Sequence, residues 1–264
     1  MLGSVFAKTV REQRRALLWW AIGLVAACLV TTAFYPSIRE NAASFERLLD
    51  SLPEGLRKAF GEDFASPVGY LQARLFSIFA PVLFLIFAIG AGSRAIAGEE
   101  EHKTLDLLLS TPVPRRRVLL DKAFAMIATT VGLGVVLALA IAVSGPPFEV
   151  AVSTANIAAA VADCVLLATA FGAIALAVGA GTGRRSVAIG LTAGLAAGSY
   201  LIDVLALSVD GLGWLQRLSP FFYYRSPDPI AHGLDPADAA ILAMITLVAT
   251  GIAVVAFELR DLAA

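Results

Sequence analysis

LQARLFSIFAPVLFLIFAIGAGSRAIA, Leu71 to Ala97, decides the fold, and GEEEHKTLDLLLSTPVPRRRVLLDK, Gly98 to Lys122, follows it directly. Between Arg74 and Arg94 the first stretch is an uncharged, almost wholly apolar run. A bilayer core about 30 Å thick takes roughly 20 apolar residues per helix, and only a helix or a closed barrel satisfies its own backbone hydrogen bonds in lipid. Continuous rather than alternating apolarity excludes the barrel. Working outward, the same pattern recurs near Ala16–Tyr35, Lys122–Ser144, Ile157–Ala180, Ser186–Val209 and Ala237–Phe257. The expected fold is all-α: a polytopic membrane protein with six transmembrane helices.

Composition agrees. Of 264 residues, 58% are hydrophobic and 16% charged, and the mean hydropathy is +0.80, above what a soluble core of this size requires. The net charge of −1 gives no global basic field for nucleic acid. Cys28 and Cys164 fall inside apolar runs and read as small core residues rather than as a disulfide.

Ser66-Pro67, Ser219-Pro220 and Asp235-Pro236 each place a capping oxygen before a proline that the first helical turn tolerates, and the last opens the sixth span. Residues 1–15 form a separate piece, with Leu2, Phe6 and Val10 on one side and Lys8, Arg11, Arg14 and Arg15 mostly opposite. They predict an interfacial helix leading into an uncleaved first span. The outer loop 36–70 contains SFERLLDSLPEGLRKAFGED, with helical spacing at Phe45, Leu48 and Leu49 and a capping box at Ser51 and Glu54, a small amphipathic cap. A second outer loop covers 210–236, and 98–121 forms a segment on the opposite side.

Lysine and arginine set the orientation. With the N-terminus inside, Lys8, Arg11, Arg14, Arg15, Arg94, Lys103, Arg115, Arg116, Arg117, Lys122, Arg184, Arg185 and Arg260 are cytoplasmic. Arg39, Arg47, Arg57, Lys58, Arg74, Arg217 and Arg225 lie outside, accompanied by acids. Both termini are therefore expected in the cytoplasm. Trp19 and Trp20 at the inner edge and Tyr35 at the outer edge suit interfacial anchoring.

On this topology Gly98–Lys122 is cytoplasmic and divides at Pro112-Val113-Pro114. Leu105, Leu108 and Leu109 form one apolar face, and Glu99, Glu100 and Glu101 read as the helix start, where carboxylates favour the positive end of the dipole. A leucine face in the cytosol needs a cover: the chain's own loops, headgroups or another protein.

This segment resembles the one after the second span in permeases of the type-2 ABC exporter family, written G-E-x-E-x-G-T-L-E-L-L-L-S-T-P-V-S-R. Gly98, Glu99, Glu101, Thr104, Leu105, Leu107, Leu108, Leu109, Ser110, Pro112 and Arg115 match, and Lys103 stands where the family often has Gly. LPEGLRKAFG, LSPFFYYRSPDPIAHG and the ending FELRDL extend the resemblance along the chain. It implies a coupling element, with Glu99, Glu100, Glu101, Thr104, Leu105, Leu108, Leu109 and Arg115 docking into a separate ABC ATPase. It further implies two ATPase copies carrying ATP and Mg, and a second permease copy or a sibling permease. The chain is then a non-catalytic, multi-pass subunit in the lipid of the inner (cytoplasmic) membrane. It moves a substrate out of the cytoplasm, or acts as a mechanical transmitter that passes ATPase-driven motion to an extracytoplasmic partner.

The rest of the sequence supplies little catalytic chemistry. It holds no G-x-x-x-x-G-K-[ST] phosphate loop, so ATP hydrolysis is expected in trans. His102 and His232 fall on opposite sides, and no metal-ligand spacing is seen. Asp163 and Asp203 are ionisable groups inside spans; each lines a translocation path or is a neutral or hydrogen-bonded aspartate near the interface. Gly190, Gly194 and Gly198 stand four apart on one face of the fifth span, a spacing that serves helix packing within the subunit and contact across a dimer equally.

Overall fold

The computed structural model describes residues 5–41, 66–104, 113–208, 213–226 and 228–260. Among these residues there are no strands, and six helices are long and apolar enough to cross a membrane. The spans are Val5–Glu40, Pro67–Glu101, Arg115–Ser144, Thr154–Thr182, Arg185–Ser208 and Pro236–Leu259, here the first to the sixth. Successive spans alternate in direction, so Val5, Glu101, Arg115, Thr182, Arg185 and Arg260 share one end of the bundle, called the termini end. The outer cap of residues 42–65, with Ser51 and Glu54, lies outside the described residues.

The three proline-led starts form as their side chains require. Ser66 Oγ accepts from the Gly69 N–H at 3.0 Å, Ser219 Oγ from Phe221 at 3.2 Å, and Asp235 Oδ1 from Ala237 at 2.7 Å. The second outer loop carries three short helices, Gly213–Gln216, Pro220–Arg225 and Pro229–His232. The Tyr224 hydroxyl donates to the Phe76 carbonyl at 2.6 Å, fastening this loop to the second span.

Three sequence expectations change. The N-terminal piece is not a separate helix: Val5–Glu40 is unbroken, because no proline interrupts the ladder before Pro36, and one proline in the last turn removes one hydrogen bond without ending the helix. At a rise of 1.5 Å per residue it runs about 54 Å, well beyond a hydrocarbon core of about 30 Å. Tyr35 is no interfacial anchor; it is buried and packs on Tyr70, ring centroids 5.2 Å apart. Trp19 is exposed whereas Trp20 packs edge-on against Phe87. Third, the second span does not stop at Ala97. It continues through Gly98, which is right-handed helical, so Glu99–Glu101 form its last turn rather than the first turn of a new helix. These carboxylates therefore sit at the negative end of a helix dipole, and other charges must hold them.

The fourth span is the centre of the bundle. In its most apolar window 72% of residues are buried, against 17% in the first span, and the second, third, fifth and sixth spans all pack on it. Its many alanines and glycines allow this close approach. At the crossing with the second span a Cβ at Gly92 would overlap the Gly172 carbonyl oxygen, so two backbones meet there without side chains between them. Cys28 and Cys164 are both buried and free, as their apolar context predicts.

Candidate functional site

The second span is irregular where its sequence demands it. Pro81 has no N–H to donate to Ser77, and the helix yields just there, with Gln72–Phe76 wound as a π-helix and Ile78 out of helical geometry. A second π-turn, Arg94–Gly98, rotates everything beyond it relative to an uninterrupted α-helix. The span ends in a Schellman arrangement: the Thr104 N–H donates to the Glu99 carbonyl at 2.9 Å and the Lys103 N–H to that of Glu100 at 3.0 Å. Lys103 occupies the left-handed position, φ 54°. Glycine fits that position without a Cβ penalty, which explains the family's preference there, and the bend is made with lysine nonetheless.

This ending delivers three consecutive carboxylates to three neighbours. Glu99 Oε1 accepts from Lys122 Nζ of the third span at 2.5 Å, and the lysine side chain is only 4% exposed. The Thr104 hydroxyl donates to the other oxygen of the same carboxylate. Glu100 Oε1 accepts from Arg260 Nη2, beyond the sixth span, at 2.5 Å. Glu101 Oε1 accepts from the backbone N–H of Arg185, where the fifth span begins, at 3.2 Å.

Two further bonds close the network. Arg260 Nη1 donates to the Ala180 carbonyl of the fourth span at 3.3 Å, and Arg115 Nη1 donates to the Arg260 carbonyl at 3.2 Å. Every coupling residue that the sequence singled out and the structure describes, Glu99, Glu100, Glu101, Thr104 and Arg115, belongs to one connected set. Leu105, Leu108 and Leu109 lie outside the described residues. The sequence reading missed Lys122, Arg185 and Arg260, counted there only as inward charges. A lysine at the head of the third apolar run was the available signal, since such a group must find an anion if the helix carries it out of water.

The other candidates separate. Asp203 is buried; its Oδ2 pairs with Arg225 Nη2 at 2.8 Å, while its Oδ1 has no hydrogen-bond partner among the described residues. Asp163 is fully buried in the fourth span, and among the described residues neither of its oxygens has a hydrogen-bond partner. Neither aspartate lines the groove of about 620 Å³ that runs between the second and fifth spans. At Gly190, Gly194 and Gly198 an added Cβ would meet nothing within 4 Å, so the described residues make no packing contact within the subunit over this stripe.

Six apolar spans thus carry a charged network at one end of the bundle, where it joins the ends of five of them. The model of the ABC-2 family transporter proteins matches residues 4–262. The chain belongs to the ABC-2 family of transporter proteins. A probable ABC transporter permease protein, NosY, of Pseudomonas aeruginosa is 32% identical over 186 residues, covering 63% of this chain and 67% of the relative. The chain is thus similar along most of its length to a permease subunit, and its six spans make it a multi-pass membrane protein. An ABC ATPase is the general partner of ABC-2 permeases, and the permease itself is generally the non-catalytic part.

Proposed function

We propose that this ABC-2 permease couples ATP hydrolysis by a separate nucleotide-binding subunit to export of a substrate from the cytoplasm, with Gly98–Lys122 as the segment that receives the ATPase. The observation that carries this reading is the carboxylate network. Glu99, Glu100 and Glu101 are one chain reversal away from the leucine segment and are tied to the third, fifth and sixth spans and, through Arg260, to the fourth. A displacement of the segment therefore pulls on five span ends at once, because charge-assisted hydrogen bonds transmit force only while their short geometry holds. The carboxylates act as the internal linkage and the leucines as the docking face. The ATPase binds as two copies with ATP and Mg, and two permeases pair across the membrane with their termini in the cytoplasm.

The test separates the two roles. Cutting Leu105 and Leu108 to Ala should release the ATPase in detergent while membrane insertion stays intact, since a lost interface leucine costs on the order of 1–2 kcal/mol, roughly tenfold in affinity. Full retention of the ATPase by this double variant would sink the proposal. A mechanical transmitter is the second reading. It is supported by Asp203 being paired with Arg225 and by neither span aspartate lining the groove between the second and fifth spans. Solute flux in proteoliposomes distinguishes the two.

A further inference from the structure

Two carboxylates are buried among the described residues, Asp163 and Asp203, and only Asp203 meets a cation. Asp163 sits in the fourth span, beyond its outer start at Thr154 by about 14 Å of helical rise. Its neighbours one turn away on the same helix, Ala159, Ala160 and Leu167, are buried and apolar. Both of its oxygens are buried, and neither has a hydrogen-bond partner among the described residues.

The charges around it have the wrong sign to hold an anion. Asp238 and Asp235, at the head of the sixth span that packs along the fourth, would repel a charge on Asp163. Tyr224 of the outer loop also faces it, but its hydroxyl donates to the Phe76 carbonyl. Cys164, next in the chain, is buried and free. The nearby cations are turned elsewhere: Arg225 to Asp203, His232 to Asp228 and Arg74 to Tyr70. The second, third and fifth spans hold no charged residue over 75–93, 123–144 and 186–202. Among the described residues no three acidic, histidine or cysteine side chains gather closely enough to hold a metal ion. An unpaired carboxylate taken out of water neutralises by taking up a proton.

We propose that Asp163 is a proton-binding site that carries the pH of the outer face to the centre of the bundle. It is a neutral acid while the fourth and sixth spans are packed, and it loses its proton to water when their outer ends part. The acidic residues mark the route: Asp163 is buried, Asp238 half-buried and Asp235 exposed. On release the O–H bond breaks, the proton passes to that water and the electron pair stays on the carboxylate, so nothing is oxidised or reduced. The packed form holds one more proton than the parted form. Rising pH therefore favours parting, by up to about tenfold in their ratio per pH unit. The ionised group, facing Asp238 and Asp235, then resists reclosure. The site rests on the orientation set by lysine and arginine and is independent of ATPase docking.

The experiment places the full chain in lipid nanodiscs and records its infrared spectrum at neutral pH. Wild type should show the carbonyl stretch of a buried protonated carboxyl, absent from Asp163→Asn and present in Asp203→Asn. Asp163→Glu should move the band, which makes the assignment even where the asparagine variant does not fold. Hydrogen exchange at the outer-end amides of the fourth and sixth spans, from about pH 5 to about pH 8 and corrected for the intrinsic rate, reads the parting. Protection in wild type should fall by up to about tenfold per pH unit, whereas Asp163→Asn should lose that dependence. Asp238→Asn, which removes one repelling charge, should keep the band at neutral pH or below but make it disappear at lower pH than in wild type. A protonated-carboxyl band that the Asp163 variants leave untouched would overturn the proposal, as would equal pH dependence of protection in wild type and Asp163→Asn. Loss of the wild-type band on adding sodium or potassium at constant pH would mark a cation site and overturn it as well.

Discussion

Replacing Lys122 with Met tests the most buried link of the network. The ammonium is 4% exposed and lies 2.5 Å from Glu99, whose side chain is 16% exposed. Removing the cation leaves the carboxylate at the negative end of its helix with only the Thr104 hydroxyl on its side chain. Breaking a buried pair from one side costs 3–5 kcal/mol, and because Glu99 keeps some contact with solvent the lower figure applies, about 3 kcal/mol. Glu99→Gln alone strands the more deeply buried lysine, but the amide oxygen still accepts a hydrogen bond, so the loss is about 2–3 kcal/mol. The double variant carries neither charge and should lose only about 1–2 kcal/mol, because replacing both partners removes the stranded ion. The coupling energy is then about 3–5 kcal/mol, at or above the top of the range for residues in contact. Unfolding of the purified protein in SDS-containing mixed micelles, followed by the fluorescence of its 3 tryptophans, measures all four corners of the cycle. If the two single losses simply add, to within about 0.5 kcal/mol, the pair does not hold the second and third spans together and the linkage argument fails.

Four other outcomes are expected. Gly92→Val should destabilise by more than about 2 kcal/mol, because its side chain meets the Gly172 backbone, which cannot yield as a side chain can, whereas Gly90→Ala, with open space around it, should be nearly neutral in the same assay. Lys103→Gly should stabilise the second-span terminus by about 1 kcal/mol, since the left-handed conformation at φ 54° costs lysine and not glycine, and slower amide exchange at Thr104 would report it. Asp203→Asn should lower stability by about 1–3 kcal/mol through loss of the Arg225 pair, with a smaller change in ATPase stimulation; an unchanged unfolding midpoint would contradict the pairing. Cysteines placed at Asn41 and Lys103 should react with an impermeant thiol reagent from opposite sides, position 41 from outside; reaction of position 103 from outside would reverse the orientation.

Hydropathy alone determined the number and approximate limits of the spans, because a helix in lipid must be both long and apolar whatever surrounds it. The proline-led starts at Pro67, Pro220 and Pro236 were equally legible, being local hydrogen-bond chemistry within three or four residues. The motif at Gly98–Arg115 marked the candidate site, and its chemistry was misassigned at one point. Three glutamates after a glycine read as a helix start, whereas a π-turn carries the second span through Gly98 and makes them its end. No local rule distinguishes those two, since the same residues satisfy either pattern until a tertiary partner chooses. The choosing partners, Lys122 in the third span, Arg185 at the start of the fifth and Arg260 just beyond the sixth, lie 23, 84 and 160 residues away from their glutamates. The same holds for Asp203, ambiguous in sequence until Arg225 came within 2.8 Å, and for Tyr35, whose aromatic ring suits an interface or a core equally well until Tyr70 packs on it. Which residues enter lipid is a property of composition, and so it was written along the chain. Which charge meets which, and which backbone can touch another as Gly92 touches Gly172, depends on distances between helices, and these exist only once the bundle has packed.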